Sequence, residues 1–220
     1  MSRNSNQDNN WHLLGDYFSH ERLSVYLNAT NQNTELAEKL FVWNSALSSS
    51  FWEVIGHVEV AARTVLDRQL NLAFPNSDWI STNDVFNEND PIWQVIDTAR
   101  KRASNAARGV SHYQVIQHLP LGFSQVLLSK RYLHLWPSIA SGFKGGNRGC
   151  HPELSKLMRD FRTFRNRVGH HDLLFGTDLE SEYQTLIRVA QLIDPRFSKW
   201  LNDVSSVPKL IGQNPTNAKC

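Results

Sequence analysis

The fold of this chain is decided by residues 34–72, TELAEKLFVWNSALSSSFWEVIGHVEVAARTVLDRQLNL. Thr34 is a suitable N-cap with Glu35 in the first turn, and no proline occurs before Pro75. One face of the segment is marked by residues that recur every three or four positions, namely Leu36, Leu40, Trp43, Leu47, Phe51, Val54, Val58, Ala61, Val65, Gln69 and Leu72. That spacing matches the 3.6-residue turn of an α-helix. The pattern predicts one very long helix that lines the core.

The rest of the chain also favours helices. A capping side chain followed by proline marks two helix starts, at Asp90-Pro91 and Asp194-Pro195. Other helices are predicted at about residues 123–136 (stopped by Pro137), 152–168 and 178–193, with loops at 74–89 and 141–149. No segment sustains the period of two that is typical of a strand. The fold class is therefore predicted to be all-α, a bundle of about seven helices.

The chain is predicted to form one all-α domain over residues 11–204. Polar composition favours a disordered N-terminal tail at 1–10 and a flexible C-terminal tail at 205–220. No window approaches the 18 apolar residues of a membrane span, and the first ten residues lack the apolar region of a secretory signal. We therefore expect a cytoplasmic protein with no membrane partner. Only two cysteines occur, so no disulfide framework is predicted.

The net charge of +2 conceals an uneven distribution. Residues 100–168 contain thirteen Lys or Arg and two acids, a net charge of +11, whereas the remainder carries −9. Clustered cations favour a polyanion, because they displace counterions from phosphates. Internal pairing between the two parts is the alternative. We expect the basic segment, including Arg100, Lys101 and Arg102, to bind nucleic acid.

The densest polar cluster is RDFRTFRNRVGHHD, residues 159–172. On a helix, Arg162 shares a face with Arg165 or Asn166, and His170 can approach Arg165 only if the helix ends near Gly169. Arginine offers a permanently charged fork to phosphate, and histidine exchanges protons near neutral pH. A solvated basic helix that ends in capping histidines is the alternative.

Four ordered segments resemble the Abi-like (abortive infection) family of HEPN ribonucleases. They are Arg165-Asn-Arg-Val-Gly-His-His171, Ser19-His-Glu-Arg-Leu-Ser-Val-Tyr26, Trp43-Asn44 with Glu59-Val-Ala-Ala-Arg63, and Leu121-Gly-Phe123 with Leu135-Trp136. The first is similar to the Arg-x4–6-His signature of that family. Three departures, at Ala62, Thr64 and Ser124, leave the Arg–His pair intact. The resemblance spans about residues 19–172.

The resemblance implies a metal-independent RNA endonuclease that acts as a toxin or abortive-infection effector and needs no cofactor. We expect Arg165 to clamp the phosphate and His170 to transfer the proton. Asn166, His171 and Glu59 are expected to support them, with Glu59 reaching the cleft from the long helix. The expected RNA-binding residues are Arg162, Arg167, Arg100, Lys101 and Arg102. A homodimer with two facing motifs, and an antitoxin that restrains the activity, are the expected partners besides RNA.

Two other functions stay open. A HEPN-type module can bind RNA or a protein without cutting, since a fold does not determine function. His171-Asp172 is also the dipeptide of HD-type metal phosphohydrolases, whose further ligands would have to come from His134 or His151 and from Asp178 or Asp194. For Glu59, an ordinary i,i+4 ion pair with Arg63 is the alternative role.

Overall fold

The computed structural model of the protein describes residues 5–106 and 110–217. Across these ranges the chain is all-α and contains no strand, which confirms the predicted fold class. Eleven α-helices and four short 3-10 helices occur within the described residues. The α-helices are α1 Ser5–Tyr17, α2 His20–Ala29, α3 Thr34–Ala73, α4 Pro91–Ala106, α5 His112–His118, α6 Leu121–Leu127, α7 Trp136–Ile139, α8 His151–Gly169, α9 Leu179–Ile193, α10 Pro195–Val204 and α11 Val207–Gly212. The 3-10 helices are Lys130–Leu135, Ala140–Gly142, Arg148–Cys150 and Pro215–Asn217.

The predicted long helix is confirmed as α3, which has 40 residues. Its N-cap is Asn33, not Thr34, because the Asn33 side chain accepts the N–H of Leu36 at 3.0 Å. The predicted core face holds as far as Val58 and then shifts by one position. Ala62, Leu66 and Leu70 are buried, whereas the predicted Ala61 and Val65 are only partly buried and Leu72 is 69% exposed; the predicted Gln69 is buried. A helical turn of 3.6 residues allows the next buried position to lie either three or four residues further along. The predicted face can therefore move by one position where both residues are apolar.

α3 is the centre of the packing. Helices from both halves of the sequence contact it, namely α1, α2, α5, α6, α7, α8, α9 and α11. The large side chains on its inner face form the core with aromatic partners, as in the edge-to-face pair of Phe51 with Phe164 of α8 at 4.8 Å. α3 therefore places residues from distant parts of the sequence beside one another.

The single helix predicted at 123–136 is wrong. α6 ends at Leu127, a 3-10 segment follows, and α7 begins at Trp136 with Pro137 in its first turn. A proline is tolerated there because the first-turn N–H groups have no partner within the helix. The helix is broken at Ser129, which is extended with ψ 167°, and again at Tyr132, which has φ −106° and whose hydroxyl donates a hydrogen bond to Asp90. Burial and this carboxylate raise the pKa of Tyr132 to about 12.

The glycine-rich loop at 141–149 packs tightly against the end of α9. The N–H groups of Lys144 and Gly145 donate to the carbonyls of Ile193 and Leu192 at 3.0 and 3.1 Å. A Cβ added at Gly145 would lie 1.6 Å from the Gln191 carbonyl oxygen. Glycine is therefore required at position 145, because the backbone of the loop approaches the backbone of α9 closely there. This packing explains the glycine-rich composition of the loop.

Helices occur within both segments that were predicted to be tails. Residues 5–10 belong to α1, and residues 207–212 form α11, whereas residues 1–4 and 218–220 lie outside the described residues. Val207 is fully buried, and the indole N–H of Trp43 donates to the Leu210 carbonyl at 2.7 Å. A largely buried indole requires such an acceptor, and α11 supplies it. Within the described ranges, no helix combines the length and apolarity needed to cross a bilayer.

The packing of α11 predicts a stability effect that a flexible tail would not show. Val207→Ala removes two buried methyl groups, and we expect the free energy of unfolding to fall by about 2 kcal/mol. Val204→Ala is the matched control, because Val204 is 50% exposed and the change should stay within about 0.5 kcal/mol. Urea denaturation of both variants measures the difference. Equal values would show that the segment after Val204 does not stabilise the fold.

Candidate functional site

The polar cluster lies at the C-terminal end of α8. As predicted, the apolar face of this helix is buried, through Met158, Phe161, Phe164 and Val168. The helix ends in a Schellman-type turn, in which the N–H of His171 donates to Val168 at 3.1 Å and that of Asp172 to Arg167 at 3.0 Å. The left-handed residue of this turn is His171 with φ 57°. The helix ends near Gly169, as considered from the sequence, since Gly169 is the last helical residue.

Arg165 is held between two side chains of α3. Its Nε lies 3.8 Å from a carboxylate oxygen of Glu59, and its Cζ lies 5.0 Å from the ring centroid of Trp52. The Arg165 side chain is 35% exposed, so solvent reaches part of the guanidinium. Nε is buried and has no hydrogen-bond partner among the described residues. The charge is therefore fixed by an ion pair and a cation–π contact, which leave most of its hydrogen-bond donors uncommitted.

Gly169 makes this arrangement possible. A Cβ at that position would lie 3.3 Å from the Trp52 ring and 3.4 Å from Nη1 of Arg165. Both distances are tighter than ordinary van der Waals contacts. The physical reason for glycine in the Arg-Asn-Arg-Val-Gly-His sequence is therefore the close approach of Trp52 and Arg165, not backbone conformation.

Glu59 pairs with two arginines. One carboxylate oxygen is 3.8 Å from Arg165, and the other accepts from Arg63 at 3.4 Å. The Glu59 side chain is only 15% exposed. The ion pair of Glu59 with Arg63 is thus confirmed, and the same carboxylate also contacts Arg165.

Arg63 connects this ion-pair network to the end of α5. Its Nη1 donates to the carbonyls of Ile116, Gln117 and Leu119 at 3.2, 2.7 and 2.8 Å. These are helix-end carbonyls that lack partners within α5. Burial lowers the pKa of Arg63, and the Glu59 carboxylate opposes that effect. Arg63 therefore fixes Glu59 from the side opposite Arg165.

His170 is the C-cap of α8 and its side chain is exposed. Its backbone N–H donates to the carbonyl of Asn166 at 2.9 Å. The Asn166 side chain forms no hydrogen bond with Arg165 or His170 in the part of the chain that the structure describes. Asn166 therefore contacts His170 only through the ordinary i,i−4 backbone bond of the helix, and the side chain of His170 is accessible from solvent.

A pocket that the sequence did not predict lies beside this helix end. Its volume is about 610 Å³, and it is lined by Arg22, Asn44, Ser45, Ser48, Ser49, Trp52, Val168, Gly169 and His171. Nη2 of Arg22 donates to the backbone carbonyl of His171 at 3.0 Å. Two features of the sequence mark these residues. They are the Ser19-x-x-Arg22 segment and an aromatic residue, Trp52, on the polar face of α3. Neither indicates a pocket without knowledge of how α2 and α8 meet.

The other predicted RNA-binding residues lie at separate places. Arg162 donates to Gln125 of α6 at 2.7 Å, and Arg167 donates to Thr177 at 2.9 Å. Arg100 packs over Trp93 at 5.9 Å, Lys101 pairs with Asp97 at 2.6 Å, and Arg102 is exposed. These three lie on α4, which contacts α6, and α6 in turn contacts α8. The structure therefore does not bring them into the Arg165 cluster.

Part of the basic segment is neutralised within the fold. Four of its cations form ion pairs with carboxylates in the described ranges: Lys101 with Asp97, Lys144 with Asp194, Lys156 with Asp160, and Arg165 with Glu59. Arg108 lies outside the described residues. Internal pairing thus accounts for a minority of the thirteen cations.

Three of the four further side chains considered for a metal phosphohydrolase are engaged elsewhere, and the fourth, His134, is exposed near Tyr132. His151 is buried against Trp136 at 5.1 Å, and burial lowers its pKa. Asp178 caps α9, and Asp194 pairs with Arg196 at 2.8 Å. Across residues 5–106 and 110–217, no group of three or more His, Cys, Asp or Glu side chains is arranged as a metal site. His171-Asp172 therefore has no such partners in this structure.

No protein-family model, no curated protein sequence and no solved structure matches this chain. The HEPN resemblance stays a prediction that four sequence segments support. The function of the site is inferred from the positions and contacts of Arg165, His170 and their neighbours.

The network around Glu59 predicts a measurable loss of stability. Glu59→Gln keeps the size of the side chain but removes the charge between Arg63 and Arg165, and we expect unfolding free energy to fall by about 2 kcal/mol. Glu53→Gln is the matched control, an exposed carboxylate on the same helix, with an expected change within about 0.5 kcal/mol. Chemical denaturation at pH 7 compares them. A Glu59→Gln protein as stable as the control would show that this carboxylate does not hold the arginines.

Proposed function

We propose that this protein is a metal-independent RNA endonuclease that acts as a toxin or abortive-infection effector. The observation that carries the proposal is the fixed position of Arg165. Glu59 and Trp52 hold its guanidinium near the end of α8, and the helix terminates directly at the exposed His170. A permanent cation and a titratable imidazole then lie at one solvent-accessible helix end.

The proposed reaction is an attack of the ribose 2′-oxygen on the adjacent phosphorus. A base removes the 2′-OH proton, the bond from phosphorus to the 5′-oxygen breaks, and an acid protonates the departing 5′-oxygen. The products carry a 2′,3′-cyclic phosphate and a 5′-hydroxyl. His170 transfers the proton, and Arg165 binds the phosphate oxygens that gain negative charge in the transition state. The free guanidinium donors of Arg165 suit that task.

Glu59 and Trp52 act in this proposal as positioning residues. The carboxylate holds Arg165 by its Nε edge, and the indole supports the guanidinium plane. Electrostatic stabilisation depends on groups that are fixed before the reaction, because a mobile charge must first be reorganised. The partly buried network from Arg63 through Glu59 to Arg165 provides this fixation.

A homodimer completes the proposed mechanism. One histidine does not readily serve as base and acid in one step, and each chain supplies one His170. Two chains that place their α8 ends face to face would supply both groups. His170 is exposed and Arg165 is partly exposed, as such an arrangement requires. A nuclease of this kind also needs restraint in its own cell, which the proposed antitoxin would provide.

The proposal predicts that two single substitutions abolish cleavage. His170→Ala removes the proton-transfer group and Arg165→Ala removes the phosphate clamp, and each should lower the rate at least about 100-fold. The assay follows cleavage of a labelled RNA by the purified full chain.

Matched controls separate these effects from a general loss of charge. His134→Ala and Arg68→Ala change an exposed histidine and an exposed arginine outside the site and should retain the wild-type rate. Near-wild-type cleavage by the His170→Ala or the Arg165→Ala protein would remove the mechanism. RNA that is bound but never cut by the wild type would favour the non-catalytic binding module.

A second prediction concerns the basic segment at residues 100–168. Engagement of about four phosphates of a single strand gives a slope near −3 in log K against log salt concentration. A 2′-O-methyl RNA, which lacks the attacking hydroxyl, permits this titration without cleavage. Arg102→Glu should make the slope shallower by about 0.7.

Arg68→Glu is the matched control, because Arg68 is an exposed arginine outside the basic segment and its reversal should leave the slope unchanged. A salt-insensitive affinity of the wild type would contradict the proposal that this segment lines the RNA path.

A further inference from the structure

We propose that the pocket between α2, α3 and the end of α8 binds one nucleotide of the RNA, next to the phosphate that is cleaved. In this proposal Arg22 binds a phosphate and Trp52 stacks on the base. The inference rests on the proposed nuclease function and adds to it a subsite that selects the neighbouring nucleotide. Its volume of about 610 Å³ lies within the range of about 300–1,000 Å³ that small-ligand sites occupy.

Charge favours an anionic ligand. Arg22 is the one permanently charged side chain in the lining, and no carboxylate belongs to that lining among the described residues. Arg22 uses little of its donor capacity on the protein. Within the described chain its guanidinium makes one hydrogen bond, to the His171 carbonyl, and its Nε is buried without an acceptor. A guanidinium carries five N–H donors, so a phosphate can be bound without breaking that bond.

Trp52 provides an aromatic surface for a base. Its side chain is 45% exposed although it is a large apolar residue. Stacking of bases on aromatic rings is a general means of binding single-stranded nucleic acid. Trp52 also contacts Arg165, and Gly169 lies beside both side chains. The pocket and the proposed reaction centre therefore share a wall, which places the bound nucleotide adjacent to the cleaved phosphate.

The polar groups of α3 can recognise the edge of a base. Ser45 and Ser49 donate their hydroxyl hydrogens to the helix carbonyls of Phe41 and Ser45, both at 3.1 Å. Their oxygen lone pairs therefore remain as acceptors. The Asn44 carbonyl oxygen accepts from the Leu174 N–H at 2.9 Å, which leaves the amide NH₂ as a donor. Acceptors and a donor on one wall match the mixed hydrogen-bonding edge of a nucleobase.

Calorimetric titration of the full chain with the four ribonucleoside 5′-monophosphates and with inorganic phosphate tests the pocket. We expect at least one nucleotide to bind at least 10-fold more tightly than phosphate. Trp52→Ala should weaken that binding at least 10-fold, and Trp52→Phe should keep it within about 3-fold because the aromatic face remains. Trp200→Ala is the matched control, since Trp200 is 46% exposed on α10 and does not line the pocket.

Two further variants test the pocket from its other walls. Arg22→Gln should weaken nucleotide binding at least 10-fold, but it also removes the bond to the His171 carbonyl. Ser48→Leu fills the pocket without removing that bond, and it should abolish nucleotide binding while thermal unfolding stays cooperative. Equal affinity for phosphate and every nucleotide, equal losses for Trp52→Ala and Trp200→Ala, or normal binding by Ser48→Leu would each overturn the proposal.

The pocket and the nuclease can fail separately. RNA cleavage by a protein that binds no nucleotide in calorimetry would reject the pocket and leave the proposed nuclease standing. Nucleotide binding that Trp52→Ala removes, in a protein that cuts no RNA, would support the pocket and reject the nuclease.

Discussion

A helix of 40 residues extends about 60 Å, and α3 buries one face over nearly all of that length, from Ala37 to Leu70. Isolated helices are marginal in water, so a helix of this length depends on the apolar surfaces that pack on it. Eight other α-helices among the described residues provide them. The same packing decides which polar residues meet, because α2, α5 and α8 all approach the middle of α3. The burial of α3 is thus the constraint that determines where the residues of the site lie.

The site lies where α8 meets α3, and its charges are only partly removed from water. A half-buried ion pair gains little net stability, because desolvation offsets much of the attraction. The sequence nevertheless places Glu59 between Arg63 and Arg165 and leaves space at Gly169 for Trp52. This arrangement costs more folding free energy than an apolar contact between α3 and α8 would. It fixes one guanidinium near a helix end. The proposed nuclease requires a positioned cation, and this requirement explains the cost in folding free energy.

The sequence was sufficient for those features that depend on local periodicity and capping. α3, α8, α9 and the helix start at Pro91 were predicted within a few residues, because their apolar spacing and caps are contained in short segments. Features that depend on distant contacts were missed. α11 packs on α3 through the bond from Trp43 to Leu210, 167 residues away, and the Arg22 pocket lies where α2 contacts the end of α8. The contact of Gly169 with Trp52 likewise joins α8 to α3 and has no signal in the local sequence.

The central claim is that the helix end bearing Arg165 and His170 cleaves RNA without a metal ion. The most direct measurement is end-group analysis of fragments produced from total cellular RNA by the purified protein in the presence of EDTA. We predict fragments with a 2′,3′-cyclic phosphate at one end and a 5′-hydroxyl at the other, in unchanged yield with the chelator. Fragments with 3′-hydroxyl and 5′-phosphate ends, or cleavage that EDTA abolishes, would contradict the account.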